Sequence, residues 1–85
     1  MRYRSRSDII TVILESTRLG ATKTKIMYNA YLSYTQLVSY LEYLQQNDLI
    51  EYEKGTHLYR PTQKGLEFLN LSDKLSKMAT VTNSI

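Results

Sequence analysis

Residues 20–65 read GATKTKIMYNAYLSYTQLVSYLEYLQQNDLIEYEKGTHLYRPTQKG, and the order of signals inside this stretch decides the fold. Near its middle, Ser33-Tyr34-Thr35-Gln36 matches the S-x-x-Q capping box. In that box the serine hydroxyl accepts from the third backbone N–H and the glutamine side chain reaches back to the serine N–H. Leu32 before the cap and Leu37 after it form a hydrophobic staple. Leu37, Leu41 and Leu44 then recur at spacings of four and three, with Val38 beside them. One face of this helix is therefore apolar, and Tyr34, Thr35, Gln36, Ser39, Tyr40 and Tyr43 fall on the outer face.

Upstream, Thr22 is placed to cap a short helix ending near Asn29 or Ala30, with Ile26, Met27 and Ala30 turned inward. Lys23 and Lys25 lie in its first turn, where cations oppose the helix dipole. That placement costs helix stability and is easier to understand if the ammonium groups face phosphates. Before Gly20, Ser7 is positioned to cap a mostly buried helix carrying Ile9, Ile10, Val12, Ile13 and Leu14.

Downstream, Asn47-Asp48 ends the capped helix, and Leu49-Ile50-Glu51-Tyr52-Glu53 alternates as a half-buried strand does. Lys54-Gly55-Thr56-His57 makes a turn, Leu58-Tyr59-Arg60 returns, and Pro61 ends ladder donation. Tyr52 and Tyr59 are expected to pack this hairpin on the core, and Tyr28 and Tyr31 to pack around the turn between the second and third helices. A last helix from about Thr62 to Met78 places Phe68, Leu71, Leu75 and Met78 at spacings of three, four and three, with Leu66 and Leu69 on its flank.

Short helix, turn, capped helix, hairpin and closing helix make a mainly α chain with a small β-hairpin. The predicted fold is a winged helix-turn-helix with a three-helix core, a wing and a C-terminal dimerisation helix. Residues 1–61 form the winged domain with a basic N-terminal arm, residues 62–78 the last helix, and residues 79–85 an expected flexible tail.

At 85 residues the chain suits one domain. At that size folding buries only about 60–65% of the surface that the unfolded chain exposes, so help from a partner fits. There is no cysteine to supply a disulfide or a thiolate metal site. No apolar run approaches the roughly 18 residues of a membrane span, so with no cysteine present a cytoplasmic protein without a membrane partner is expected. Net charge is +3 with pI near 9.2. It is unevenly placed: residues 1–41 carry six bases against two acids, and residues 42–85 carry five against six. Such asymmetry suits a polyanion.

Catalysis needs convergent titratable groups. Here His57 is the single histidine, no serine sits in a G-x-S-x-G context, and Glu51 and Glu53 share an exposed strand face. No enzyme activity, metal site or cofactor is expected.

In a helix-turn-helix the second helix of the pair lies in the major groove with its N-terminal residues near base edges. That helix would begin at Ser33. Gln36 is the candidate base reader, because its amide donates and accepts together at adenine. Tyr34, Thr35, Ser39 and Tyr40 are placed for phosphates or apolar base edges. Residues 33–47 contain no Lys or Arg. Affinity is therefore expected from Arg2, Arg4 and Arg6 of the arm, Lys23 and Lys25 of the second helix, and Lys54, His57 and Arg60 of the wing. Those are backbone or minor-groove contacts, implying strong salt dependence and weak sequence preference for one chain. Two chains joined through Phe68, Leu71, Leu75 and Met78 would present two groove helices about 34 Å apart or a multiple of it. The eight tyrosines support a competing account, a protein-interaction module with Tyr34, Tyr40 and Tyr43 as an exposed stripe.

The run GATKTKIMYNAYLSYTQLVSYLEYL, followed by LIEYE, LYRPTQKGLEFL and a leucine-bearing helix, resembles the small archaeal winged-helix DNA-binding proteins that dimerise through a C-terminal antiparallel coiled coil. The likeness covers about residues 5–78. It implies a homodimeric, double-stranded DNA-binding protein, chromatin-associated or a transcriptional regulator. The chain departs from that pattern in its shorter terminal helix and in Glu51 and Glu53 beside the wing.

Overall fold

The computed structural model describes residues 4–83, with side chains through Met78. Six elements follow one another: α1 (Arg6–Ser16), α2 (Lys23–Ala30), α3 (Tyr34–Gln46), β1 (Ile50–Glu53), β2 (Leu58–Pro61) and α4 (Gln63–Asn83). They build the winged helix-turn-helix anticipated from the order of caps and turns.

The caps show why each helix starts where it does. Ser33 accepts from the Gln36 N–H while Gln36 Oε1 accepts from the Ser33 N–H at 3.0 Å, the complete reciprocal box. Thr22 caps α2 by accepting from the Lys25 N–H. For α1 the cap is Ser5, not the expected Ser7. Ser5 has Asp8 three residues on to return the bond to its own N–H, a second capping box that Ser7 cannot make. Thr62 caps α4, accepting from the Gly65 N–H while its own hydroxyl donates to the Asp48 carbonyl, which ties the last helix to the end of α3. A Cβ at Gly65 would overlap the Leu49 carbonyl oxygen, so only glycine allows that approach. The α4 helix continues to Asn83, past the expected end at Met78, because no Gly or Pro interrupts residues 78–83.

The strands pair antiparallel with Tyr52 opposite Tyr59 and Glu51 opposite Arg60. A third segment joins them: Ala21 exchanges both backbone hydrogen bonds with Tyr59, at 3.1 and 2.8 Å. The loop from α1 to α2 is thereby stitched to the wing. Gly20, at φ +92°, makes the approach possible, since a Cβ there would press on Leu58 and Arg60.

Ile13, Leu14, Ile26, Leu37, Leu44 and Leu69 are the fully buried apolar centre, gathered from all four helices. Several side chains sit differently from their helical period. Leu69, expected on the flank of α4, is core, and Phe68, expected on the seam, packs half-buried against that core. Tyr40, expected outside, is half-buried as well. Tyr28 and Tyr31, expected to pack around the turn, are exposed; of the two wing tyrosines Tyr59 enters the core, and Tyr52, 38% exposed, rests with its ring centre 4.8 Å from that of Tyr59. The helical period sorts a helix into faces, but neighbouring elements decide how wide the buried face is.

Candidate nucleic-acid interface

The helix pair α2 and α3 is joined by a turn at Tyr31, whose backbone is left-handed (φ 54°, ψ 48°) and whose N–H closes α2 onto the Met27 and Tyr28 carbonyls. This turn leaves Tyr34, Thr35, Gln36 and Ser39 exposed on the N-terminal half of α3. The Gln36 amide is committed through its oxygen to the cap, so base reading from it would use the same group that starts the helix.

The missing positive charge of α3 is supplied by its neighbours. The Arg6 guanidinium lies 5.3 Å from the Tyr40 ring centre and 5.0 Å from that of Tyr43. The Lys23 ammonium lies 5.9 Å from the centre of Tyr34. Aromatic faces attract cations at these distances. One cation is therefore held at the start of α3 and another along its later turns. Both were expected to be phosphate contacts, but neither pairing with a tyrosine is visible in the sequence, since each joins separate helices.

The other expected cations divide. Arg2 lies outside the described residues. Arg4 donates to the Ala30 carbonyl and, at 3.3 Å, to that of Tyr31, so it caps the C-terminus of α2 and is not an open arm. Cations are favoured there by the helix dipole. Lys25 is exposed beside Lys23, and Lys54 is exposed at the wing tip. Arg60 pairs with Glu53 at 3.4 Å. Glu53 is held below its ordinary carboxylate value first by a hydrogen bond from the Thr56 hydroxyl, with Arg60 adding to it and desolvation opposing. His57 sits in the wing turn at φ 60° with Nδ1 2.8 Å from the Tyr52 hydroxyl. The tyrosine stripe of the competing account is divided, because Tyr40 and Tyr43 lie under Arg6.

On α4, Phe68 turns partly into its own core, while Leu71, Leu75 and Met78 are 61%, 64% and 65% exposed. Among the described residues, no group of three or more His, Cys, Asp or Glu side chains gathers as a metal site would require. No helix among them is long and apolar enough to cross a membrane.

A capped helix presented after a tight turn, beside a two-stranded wing, defines the class of winged helix-turn-helix proteins. The chain belongs to the winged helix-turn-helix family, whose pattern it matches over residues 3–80. Solved structures share the fold. The DNA-binding protein Sso10a-2 from Sulfolobus solfataricus superposes with a TM-score of 0.76 at 22% identity, over 95% of this chain and 87% of that one. ZitR of Lactococcus lactis in complex with DNA superposes with a TM-score of 0.65 at 18% identity, over all of this chain; the chain spans 65% of ZitR. No curated protein sequence matches.

Proposed function

We propose that this protein binds double-stranded DNA as a homodimer, mainly through the phosphate backbone, as a transcriptional regulator or chromatin-associated protein of the nucleoid with no catalytic role. The observation that carries the reading is the exposed N-terminal half of α3, flanked by Lys23 over Tyr34 and Arg6 over Tyr40 and Tyr43. That surface offers hydroxyls and an amide to a groove while its charge stands at the rim, where phosphates lie. Structural neighbours described as a DNA-binding protein and as a DNA complex support the same partner. The Sulfolobus neighbour also supports the archaeal resemblance seen in the sequence. Homodimerisation rests on the exposed Leu71, Leu75 and Met78 of α4, with Phe68 at the edge of that surface.

Titration with duplex DNA at two salt concentrations tests the proposal. Binding that weakens steeply with salt is expected, because each neutralised phosphate releases a counterion. Failure to bind at low salt, or binding indifferent to salt, would overturn it. Those outcomes would favour a protein partner for the exposed Tyr28, Tyr31 and Tyr34 instead.

A further inference from the structure

An open cleft of about 400 Å³ lies between the first turn of α2 and the wing, lined by Thr22, Lys23, Thr24, Tyr52, His57 and Tyr59. No carboxylate lines it. Tyr59 is only 6% exposed and its ring belongs to the core, while its hydroxyl, which makes no hydrogen bond to another described residue, opens into the cleft. Burial pushes the Tyr59 phenol up, with Lys23 opposing, so the hydroxyl keeps its proton and remains a donor.

The other walls also offer donors. The N–H groups of Lys23 and Thr24 open α2 and have no intrahelical acceptor, whereas those of Lys25 and Ile26 are taken by Thr22. Across the cleft, Tyr52 and His57 share one hydrogen bond. If the phenol donates, the imidazole keeps its Nε2–H; if Nδ1–H donates, the phenol keeps its O–H. Either tautomer leaves one donor spare.

We propose that this cleft seats one phosphodiester group of the DNA backbone, gripped by the Tyr59 hydroxyl, the first N–H groups of α2, the Lys23 ammonium and the Tyr52–His57 pair. The proposal rests on the duplex-binding reading above. A phosphate is acceptor-only and anionic, which matches a cleft of donors beside a helix N-terminus. Lys23 also lies over Tyr34, so a phosphate held here sits at the entry of α3 and would set how deeply that helix enters the groove.

Tyr59→Phe keeps the core ring and deletes only the hydroxyl. Its affinity for a duplex should fall about tenfold, the effect of removing a hydrogen bond to a charged group, with an unchanged melting temperature. Tyr28→Phe, exposed and outside the cleft lining, should bind as the wild type does. In amide-resolved NMR titrations of the wild type, the Lys23 and Thr24 signals should move with duplex and with inorganic phosphate alone, and in Tyr59→Phe they should move less with both. A Tyr59→Phe protein that binds duplex as tightly as a binding-competent wild type overturns the cleft alone. If inorganic phosphate moves those signals while duplex affinity is indifferent to the hydroxyl, the site takes a free anion and the backbone assignment is overturned. A wild type that binds no duplex at low salt removes the function reading itself, a distinct failure.

Discussion

Arg6 on α1 stands 5.0 Å from the centre of the Tyr43 ring on α3, so a helix without a single Lys or Arg between residues 33 and 47 carries a cation borrowed from another element. Arg6→Ala should weaken binding to all duplexes about equally and lower the slope of log affinity against log salt by about 0.9, the loss of one phosphate contact. The stability lost with the cation–π contact should be about 0.5–1 kcal/mol. Slopes from parallel salt titrations check this; an unchanged slope would show that Arg6 serves α3 only as packing.

Arg4 should behave in the opposite way. Its guanidinium is engaged by the Ala30 and Tyr31 carbonyls at the end of α2. Arg4→Ala should cost about 0.5–1.5 kcal/mol of folding stability, in line with a hydrogen-bonded cap, and leave the salt slope of DNA binding intact. Urea unfolding beside the same titrations separates the two arginines. A changed slope with unchanged stability would return Arg4 to the DNA-contacting arm.

Tyr31 occupies a left-handed backbone position with its side chain 85% exposed. A non-glycine residue is strained there by about 1–2 kcal/mol, and glycine is not, although glycine costs more chain entropy on folding. The ring buries little, so Tyr31→Gly should stabilise the protein by about 0.5–1 kcal/mol. A raised urea midpoint at constant m-value is the expected result. Destabilisation would mean that the Tyr31 ring contributes packing that its exposure does not reveal.

Local chemistry was legible in the sequence and non-local chemistry was not. The Ser33 and Thr22 caps depend on a hydroxyl meeting an N–H three residues on, a relation contained in a few letters. Asp8 selects Ser5 over Ser7 as the cap, because only Ser5 has a carboxylate three residues on, whereas the apolar run alone fits either serine. The Ala21 bridge to Tyr59, the cations over the α3 tyrosines and the burial of Leu69 each join elements distant in the chain. The cleft followed from those joins: Thr22, Lys23 and Thr24 meet Tyr52, His57 and Tyr59 only once the α1–α2 loop is hydrogen-bonded to β2.

Acid should loosen the wing through Glu53. Its folded value lies below the ordinary 4.5 because the Thr56 hydroxyl, and then Arg60, favour the carboxylate. A depressed carboxylate contributes stability that is present in full above its unfolded value and lost as pH falls through its folded one. The difference in urea midpoint between wild type and Glu53→Gln should thus be constant near neutrality and close as the pH drops below 4.5. A difference that persists unchanged in acid would show that the Thr56 and Arg60 contacts do not depend on charge.

The α4 surface carries the remaining prediction. Leu71, Leu75 and Met78 follow at spacings of four and three, each more than half exposed, while Leu69 and part of Phe68 are spent on the domain's own core. A seam of three residues is short for a coiled coil, but Phe68, Leu71 and Leu75 also border a groove with Ser7, Thr11 and Ser72, which widens the surface a second chain could cover. Because these leucines are exposed in the single chain, charge placed on them should not disturb its core. Leu71→Glu with Leu75→Glu should therefore give a monomer with wild-type helical content in sedimentation and circular dichroism. Its DNA affinity should fall by more than any single cation variant's, since linked heads raise each other's effective concentration. A wild type that sediments as a monomer at high concentration, or a double variant that remains dimeric, would overturn α4 as the dimer contact.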